Sequence, residues 1–471
     1  MIFIFAYSLI QLSLLLNYKR RKPVTRRFEW EGEYPSVLIQ LPVFNERYVV
    51  ERLIDAAATI EYPGDKLRIE LLDDSTDDSF QIGAERVRYW AEKGIDIHHI
   101  QRPERKGFKA GALQYSLDRS SAQFIAIFDA DFIPEKDFLL KALNQFDDPN
   151  LGMVQTRWGH LNHDFSLLTK VQAFALDAHF TVEQTGRNEG GHFINFNGTA
   201  GVWSRDCILD AGGWSADTLT EDLDLSYRAQ LEGWKFKFLE EVVSPAELPA
   251  EMNALKNQQY RWNKGAAECA VKHLGTVFRA VSVPFSTKIH ALFHLMNSSI
   301  FIWIVVCAVM SLPLIVLKNE VEGYELLFAS GGLLLFSFVV LALFYYTAYI
   351  RIGKGSKRRF IWLYPAFLSL SMGMSLHNAR AVLLGYFGKK TPFVRTPKWN
   401  LVGNTGSWRN KKYSDQRIPF ISWLEGLLGL YFLLALFVGF RLGEWGFIPL
   451  HAMLVFGFFA VFHFSVKHAL R

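Results

Sequence analysis

The sequence predicts a soluble α/β domain with a mostly parallel sheet, joined to an α-helical membrane domain. Between residues 28 and 285, short apolar strand segments alternate with segments of helical spacing, which is the pattern of a parallel sheet covered on both faces. Apolar stretches long enough to cross a bilayer dominate the remainder of the chain. Charge divides at the same point: residues 286–471 hold 19 Lys and Arg against 6 Asp and Glu, whereas residues 1–285 hold 32 against 40.

Composition excludes several classes of protein. The 471 residues are 50% hydrophobic and 21% charged, which excludes disorder, collagen and coiled coil. Nucleic acid is excluded as a partner, because the basic residues are spread between apolar runs instead of forming one face. The three cysteines (Cys207, Cys269 and Cys307) lack CxxC spacing, which argues against a disulfide framework or structural zinc and for a reducing compartment.

The chain opens with a predicted transmembrane helix at residues 1–17. Basic residues follow this apolar stretch, namely Lys19, Arg20, Arg21 and Lys22. A secretory signal carries its positive charge before the apolar run, so we expect a retained helix whose end faces the cytosol. Within the predicted membrane domain, 286–471, four more stretches can span a core of about 30 Å. They are about 296–317, 326–350, 418–440 and 446–468.

A further apolar stretch, about 360–386, differs from these spans. It contains Pro365, His377, Asn378 and Arg380. Both of its flanks are basic, so a crossing would place one basic flank outside, against the positive-inside tendency. We therefore predict an interfacial helix on the cytosolic side and five spans in total. The predicted outside links are 318–325 and 441–445, and 467–471 is predicted inside.

In the α/β domain the predicted strands and helices alternate in order. The predicted strands are 37–43, 67–72, 95–101 and 124–128, and the predicted helices are 46–60, 79–91, 107–117 and about 135–146. Ligands of parallel sheets bind at the carboxyl ends of the strands.

Three of these four strands end in acidic residues. The first runs into Glu46, the second into Asp73 and Asp74, and the fourth into Asp129 and Asp131. An Asp-x-Asp after an apolar strand supplies the hard oxygen ligands that Mg²⁺ and Mn²⁺ prefer, and such an ion can bridge a diphosphate. The alternative is a solvated acidic loop, which two acidic strand ends in one sheet disfavour. The segment 106–111, with small residues and two lysines opening a helix, is weak evidence for phosphate binding by itself.

Two more motifs follow along the chain. Thr220-Glu221-Asp222 precedes a helical run and is interpreted either as a capped helix start or as a general base at the mouth of a site. In the segment 258–262, Gln258 and Trp262 share a helix face beside Arg261. Its alternative interpretation is a packing anchor next to a surface charge.

Taken in chain order, Asp73-Asp74, Asp129-x-Asp131, Thr220-Glu221-Asp222 and Gln258-x-x-Arg261-Trp262 resemble the motifs of processive family 2 glycosyltransferases. The resemblance is to the cellulose synthase and cellulose-synthase-like group. Segments 72–77, 106–111 and 196–203 are most similar to its mannan- and glucan-synthase-like branch. The resemblance implies a nucleotide-sugar domain of GT-A type at 28–285 and Mg²⁺ or Mn²⁺ as cofactor.

The resemblance implies a role for each matching residue. The nucleotide sugar would meet Glu46, Asp73, Asp74, Lys109 and Asp129; the metal would bind Asp129 and Asp131; and Asp222 would be the catalytic base. Acceptor and diphosphate would meet Asn197, Gly198, Thr199, Glu221, Gln258, Arg261 and Trp262. A gating loop at about 389–417 would contribute Phe393, Arg395, Thr396 and Lys398.

The predicted function is inverting, metal-dependent transfer of a hexose from UDP-glucose or GDP-mannose to a growing β-linked glucan or mannan. The predicted protein is a multi-pass membrane protein whose catalytic domain faces the cytosol of a bacterial inner membrane or its equivalent. One alternative is non-processive transfer of one sugar to a lipid acceptor, which needs the same acidic motifs. The other is a membrane receptor or transporter with a nucleotide-sensing sheet, which needs no base at Asp222.

Overall fold

The computed structural model describes residues 1–21, 33–320, 332–353, 355–409, 411–413 and 417–470. Lys22, the first residues of the predicted 28–285 domain, most of the predicted 318–325 link and Arg471 lie outside the described residues. So do the first residues of the predicted 326–350 span and positions 410 and 414–416 of the predicted gating loop.

A seven-stranded sheet forms the centre of the α/β domain. Its strands are β1 (Val37–Val43), β2 (Leu67–Asp73), β3 (Ile97–Ile100), β4 (Phe124–Ile127), β5 (Leu151–His160), β6 (Gly201–Ser204) and β7 (Lys235–Ala246). Their order is β3-β2-β1-β4-β6-β5-β7. All neighbouring pairs are parallel except those of β6, which runs antiparallel to β4 and β5. The predicted mostly parallel sheet is confirmed.

Helices cover the sheet and continue into the apolar part of the chain. The helices before residue 252 are α1 (Ile2–Arg20), α2 (Val50–Ala58), α3 (Ser79–Glu92), α4 (Phe108–Leu117), α5 (Phe138–Leu143), α6 (Leu167–Ala178), α7 (Gln184–Glu189), α8 (Arg205–Asp210) and α9 (Glu221–Leu231). The later helices are α10 (Met252–Arg279), α11 (Phe285–Leu295), α12 (Ile300–Glu320), α13 (Gly332–Ile352), α14 (Lys357–Gly373), α15 (Ser375–Tyr386), α16 (Phe420–Arg441) and α17 (Ile448–Ala469).

Strand β1 shows why its sequence is an uninterrupted apolar run. Ile39 and Leu41 point into the core on one face of the sheet, and Leu38 points into the core on the other. Gln40, the one polar residue of the strand, is fully buried, and its amide nitrogen donates to the Leu113 carbonyl at 3.1 Å. Because both faces are covered, every position of the strand except the partly exposed Pro42 is buried, and the strand ends are the places where polar side chains can gather.

Five described helices are long and apolar enough to cross a membrane. They are Ile2–Arg20, Asn297–Lys318, Gly332–Ile352, Phe420–Arg441 and Trp445–Ala469. Their ends fall into two groups. Beside the α/β domain, the Tyr18 hydroxyl donates to Glu240 at 3.2 Å, Arg351 Nε pairs with the same carboxylate at 2.5 Å, and His468 Nδ1 accepts the Met252 N–H at 3.0 Å. At the far ends of α12 and α16, Lys318 pairs with Glu444 at 2.5 Å.

The stretch predicted to be interfacial forms two helices instead of one. Helices α14 and α15 meet at Met374, and neither is among the five candidate spans. Helix α14 packs on α17 at Gly457, where a Cβ atom would lie 1.9 Å from the Ser369 carbonyl oxygen. Helix α15 packs on α10 at Gly385. This stretch therefore lies against the start of α10 and the last apolar helix, and its interfacial position stays a prediction.

We expect the two groups of helix ends to lie on opposite sides of the membrane. A cysteine at the exposed Asn404 should react with an impermeant maleimide only from the side of the α/β domain, and one at the exposed Trp445 only from the other side. Both cysteines are introduced into a Cys307→Ala background, and this background is the control, because Cys207 and Cys269 are buried whereas Cys307 is partly exposed. Reaction of both cysteines from one side would contradict this arrangement.

Candidate active site

The carboxyl ends of the strands open into a cavity of about 230 Å³. The predicted residues that line it are Glu46, Asp74, Lys109, Asp129, Asp131, Asn197, Gly198, Glu221, Asp222, Gln258, Arg261, Trp262, Phe393, Arg395, Thr396 and Lys398. The other two predicted residues, Asp73 and Thr199, lie behind its wall. Four ordered motifs and the segment before α16 thus meet in one cavity.

Asp73 and Asp74 at the end of β2 face different surroundings. The Asp73 carboxylate is buried, where it accepts the Ser75 N–H at 2.8 Å and contacts His99 Nε2 at 2.9 Å. Asp74 faces the cavity and accepts from Arg102 Nε at 3.0 Å. Asp73 therefore fixes the turn after β2, and Asp74 is the residue of this pair that a ligand can reach.

Asp129 is held by Lys109 and Thr199. Lys109 Nζ lies 2.5 Å from Asp129 Oδ1 and donates to the Gly198 carbonyl at 2.7 Å. Thr199 Oγ1 accepts the Asp129 N–H at 2.9 Å. Burial disfavours the Lys109 ammonium, yet the carboxylates of Asp129 and Glu221 raise its pKa overall, so it stays charged.

Asp131 receives a cation from a distant part of the chain. Its Oδ2 accepts Lys398 Nζ at 2.6 Å and the Glu247 N–H at 3.0 Å. Asp129 and Asp131 each hold an ammonium group, so both carboxylates are placed to bind cations. Among the described residues, no group of three or more His, Cys, Asp or Glu could hold a metal by itself. Mg²⁺ sites for phosphate ligands use one or two carboxylates and complete the shell with phosphate oxygens, and this donor pair fits such a site.

Asp222 lies in the first turn of α9, deep in the cavity. Burial, and next the negative charge of Glu221, raise the pKa of Asp222 to about 7. Its Oδ1 accepts the N–H of Leu223 at 2.8 Å. Gly198 has φ +83° and faces this carboxylate, where a Cβ atom would lie 3.0 Å from Asp222 Oδ2. Asp222 is therefore a carboxylate that can accept a proton near neutral pH.

Helix α10 contributes Gln258, Arg261 and Trp262 to the wall of the cavity. The Arg261 Nη2 donates to Thr396 Oγ1 at 2.9 Å, and its guanidinium lies 4.8 Å from the centre of the Phe393 ring. The ring of Trp262 lies 6.5 Å from that of Trp158 on β5. This wall combines one cation with apolar aromatic faces.

The segment before α16 covers part of the cavity with the side chains of residues 393–398. The Phe393 ring stacks on Phe108 at 5.4 Å, and Arg395 pairs with Glu46 at 3.2 Å. Burial raises the pKa of Glu46 to about 8, against the opposing effect of Arg395 and then Lys398. These contacts join the predicted loop to the start of α4 and to the acidic residue that follows β1.

Sequence reasoning missed Glu247, Arg105 and Trp158, which also line the cavity. Arg105 lies 3.4 Å above the centre of the Phe44 ring. Glu247 directly follows β7, so the signal that found the other acids, a carboxylate at a strand end, also applied to it. It was missed because β7 was not predicted.

A model of the glycosyltransferase like family 2 matches residues 35–265. Glucomannan 4-beta-mannosyltransferase 2 of Arabidopsis thaliana is 36% identical over 395 residues, covering 82% of this chain and 71% of the relative. Glucomannan 4-beta-mannosyltransferase 1 of Cyamopsis tetragonoloba is 31% identical over 463 residues, covering 92% and 84%. A probable glucomannan 4-beta-mannosyltransferase 4 of Oryza sativa subsp. japonica is 37% identical, and the match spans 63% of its length.

The fold is similar to that of a solved mannosyltransferase from Pyrobaculum calidifontis in complex with GDP-Man and Mn²⁺. The TM-score is 0.51, and the match covers 82% of this chain and all of the other at 20% identity. The predicted GT-A type fold is thereby confirmed.

The raised pKa of Asp222 has a consequence for stability. Its carboxyl holds a proton more tightly in the folded protein than in the unfolded chain, where the pKa is 3.8, so folding loses stability as the pH rises toward and through 7. We expect Asp222→Asn to raise the free energy of unfolding, with a gain larger by about 2 kcal/mol at pH 8 than at pH 5.5. Thermal unfolding at both pH values measures this, and Asp217→Asn, at an exposed aspartate, is the control. A difference that does not depend on pH would contradict the burial of the Asp222 charge.

Proposed function

The chain belongs to the cellulose-synthase-like group of family 2 glycosyltransferases, and on this basis we propose that it extends a β-linked mannan with mannose from GDP-mannose. It is a hexosyltransferase with several helices that can cross a membrane. Of the two donors that the sequence left open, UDP-glucose and GDP-mannose, the second agrees with relatives named as mannosyltransferases. The same names refer to a polysaccharide, which favours polymer extension over transfer to a lipid.

The observation that carries the proposal is Asp222 in the cavity that also collects the acidic strand ends and the wall of α10. In the proposed reaction Asp222 takes the proton of the acceptor hydroxyl, whose oxygen attacks the anomeric carbon of the donor. The bond from that carbon to the diphosphate oxygen breaks on the opposite face, which inverts the anomeric configuration. A pKa of about 7 suits this role, because about half of the base is then ionised at neutral pH and it still binds a proton.

The leaving diphosphate develops negative charge. Cations that line the cavity would stabilise this charge. Arg261, Lys398 and Lys109 all line the cavity, and Lys109 lies between Asp129 and the Gly198 carbonyl. Asp129 and Asp131 would hold Mg²⁺ or Mn²⁺, which would supply Lewis-acid stabilisation of the leaving group. Asp74 and Arg105 lie where the nucleoside would bind.

We place the acceptor end of the polymer against Trp262 and Gln258, with Asn197 and Glu221 on the facing wall. The indole of Trp262 offers an apolar face of the kind that a sugar ring can cover. His179 Nε2 contacts the Asn197 side-chain oxygen at 3.2 Å and holds that amide in place.

We also propose that the catalytic domain faces the cytosol. The helix ends next to this domain carry Arg20, Arg21, Arg351 and Lys467, whereas the far ends of α12 and α16 hold the Lys318–Glu444 pair. Cytosolic loops carry the excess of Lys and Arg, so this distribution supports the orientation.

The direct test of the proposed function is a panel of nucleotide sugars with purified protein in detergent or nanodiscs. We expect GDP-mannose to be consumed and converted into material that a β-mannanase digests, and UDP-glucose to be consumed more slowly. The matched negative control is Asp222→Asn. Exclusive turnover of UDP-glucose, or a product with one sugar on a lipid, would contradict the proposal.

The base assignment makes a kinetic prediction. We expect Asp222→Asn to lower kcat by about 10²-fold or more, the scale of general-base catalysis, while donor binding persists. In the unaltered enzyme kcat/KM should fall below a pKa near 7, because protonated Asp222 cannot accept a proton. Glu221→Gln removes a neighbouring negative charge and should shift this acidic limb of the plot of kcat/KM against pH to lower pH. Asp217→Asn should leave the limb in place, and near-normal turnover of Asp222→Asn would refute the assignment.

The metal assignment is tested by chelation. We expect EDTA to abolish transfer and Mg²⁺ or Mn²⁺ to restore it, and Asp131→Ala should stay inactive with excess metal because one of the two ligands is lost. The readout is release of GDP, with Asp137→Ala, at a partly exposed residue just before α5, as the control. Full activity in EDTA would show that Asp129 and Asp131 do not serve a metal.

A further inference from the structure

The segment that covers the cavity consists of two parts with different contacts. We call residues 391–396 the flap and residues 398–403 the anchor. Both were predicted together as one gating loop. In the structure the flap touches the cavity through side chains, whereas the anchor is attached to the α/β domain through its backbone.

Glu247 makes the central attachment of the anchor. Its Oε1 accepts the Trp399 N–H at 2.8 Å, and its Oε2 accepts the Leu401 N–H at 3.1 Å. Trp399 is 1% exposed and Leu401 is fully buried, so these hydrogen bonds lie away from water. Hydrogen bonds to a carboxylate are stronger than those between neutral groups, and a buried N–H without a partner is costly.

Further bonds hold the anchor on both sides of these two amides. Lys398 Nζ donates to the Glu247 carbonyl at 2.9 Å, and the Gly403 N–H donates to the Leu161 carbonyl at 2.8 Å. The Trp399 carbonyl accepts Lys411 Nζ at 2.8 Å. The ring of Trp399 also packs in an apolar cluster with Ala250, Leu401 and Trp408.

The flap lacks this kind of attachment. No described residue forms a backbone–backbone hydrogen bond with residues 391–396. Its contacts are made by side chains: the Phe393–Phe108 stack, the Arg395–Glu46 pair, the Arg261–Thr396 hydrogen bond, and the Arg261 and Arg395 guanidinium groups over the rings of Phe393 and Tyr413. Each of these side-chain contacts can be exchanged for a ligand without breaking secondary structure, and segments with few backbone bonds open at low free-energy cost.

We propose that Glu247 is a positioning residue that clamps the anchor to the end of β7, so that only the flap moves when a donor binds and Lys398 is a fixed part of the donor site. The backbone of Glu247 also donates to Asp131 Oδ2 at 3.0 Å, so one residue sets the places of Asp131 and of the anchor that carries Lys398. Only the statement that Lys398 belongs to the donor site rests on the proposed function; the attachment of the anchor by Glu247 does not.

Amide hydrogen exchange of the full-length protein tests the proposal without relying on activity. In the protein without ligand we expect the amides of Trp399, Leu401 and Gly403 to exchange at least about 100-fold more slowly than those of residues 393–396. GDP with Mn²⁺ should slow exchange in the flap and leave the anchor unchanged. Similar rates in the two parts before any ligand is added would overturn the proposal, and so would a change at the anchor with GDP.

A variant tests the role of Glu247 itself. Glu247→Gln retains one acceptor and turns an NH₂ group toward the second N–H, so exchange at 399–401 should rise about tenfold or more. The KM for the donor should rise about 10- to 100-fold through misplacement of Lys398, with the unfolding midpoint little changed. The matched control is Glu241→Gln, a neighbouring β7 residue that is 71% exposed and pairs with Arg351, which should change neither exchange nor KM.

These readouts separate the inference from the proposed function. Failure of GDP to bind, with anchor and flap still differing in exchange, would count against GDP-mannose as donor and support the clamp. Unaltered exchange at 399–401 in Glu247→Gln would overturn the clamp even if mannose transfer is observed. If Glu247→Gln does not fold, the comparison of anchor and flap in the unaltered protein decides the question.

Discussion

The structure depends on charge compensation in an acid-rich cavity. Seven carboxylates line the cavity, and five cations compensate them, from the region of α4, from α10 and from the segment before α16. Carboxylates so close together repel one another. Without paired cations they would take up protons or destabilise the folded protein. Under the proposed function, the cations that pair with these carboxylates would also stabilise the leaving diphosphate, so the same groups would serve folding and ligand binding. No cation among the described residues hydrogen-bonds Asp222, and burial, followed by the charge of Glu221, raises its pKa against the opposing effect of Lys109.

A second constraint joins the helix that carries Asp222 to the helix that carries Arg261 and Trp262. Asp224, two residues after Asp222, is fully buried and meets His273 of α10 at 2.7 Å. Just before α9, the Leu219 N–H donates to Glu268 of α10 at 2.8 Å. These contacts fix the position of α9 relative to α10. The distance from Asp222 to Arg261 and Trp262 is therefore set by contacts outside the cavity.

Buried polar contacts attach the apolar helices to β7 and α10. Lys256, two residues before Gln258, donates all three ammonium hydrogens, to Ser422 and Ser465 at 2.9 Å and to Glu425 at 2.5 Å. A charge in this setting is tolerated because each of its donors has a partner. Glu240 makes the corresponding attachment for α1 and α13. Helix α10 is thus bound at its start to the apolar helices α16 and α17 and carries the active-site wall one turn later.

The sequence by itself determined the class of fold, the first four strands, the apolar helices and most of the charged residues of the cavity, because apolar periodicity and acids at strand ends are local signals. It did not determine β5, β6 and β7, whose pairing partners are remote in the chain; β6 is only four residues long and lies in a glycine-rich segment. Only the tertiary structure decided that Asp73 and Thr199 lie behind the wall, that Glu247 reaches the cavity, and that the segment before α16 divides into a flap and an anchor. These outcomes follow from which side of a strand end faces the cavity and which distant N–H groups reach a carboxylate, and neither is encoded in local spacing.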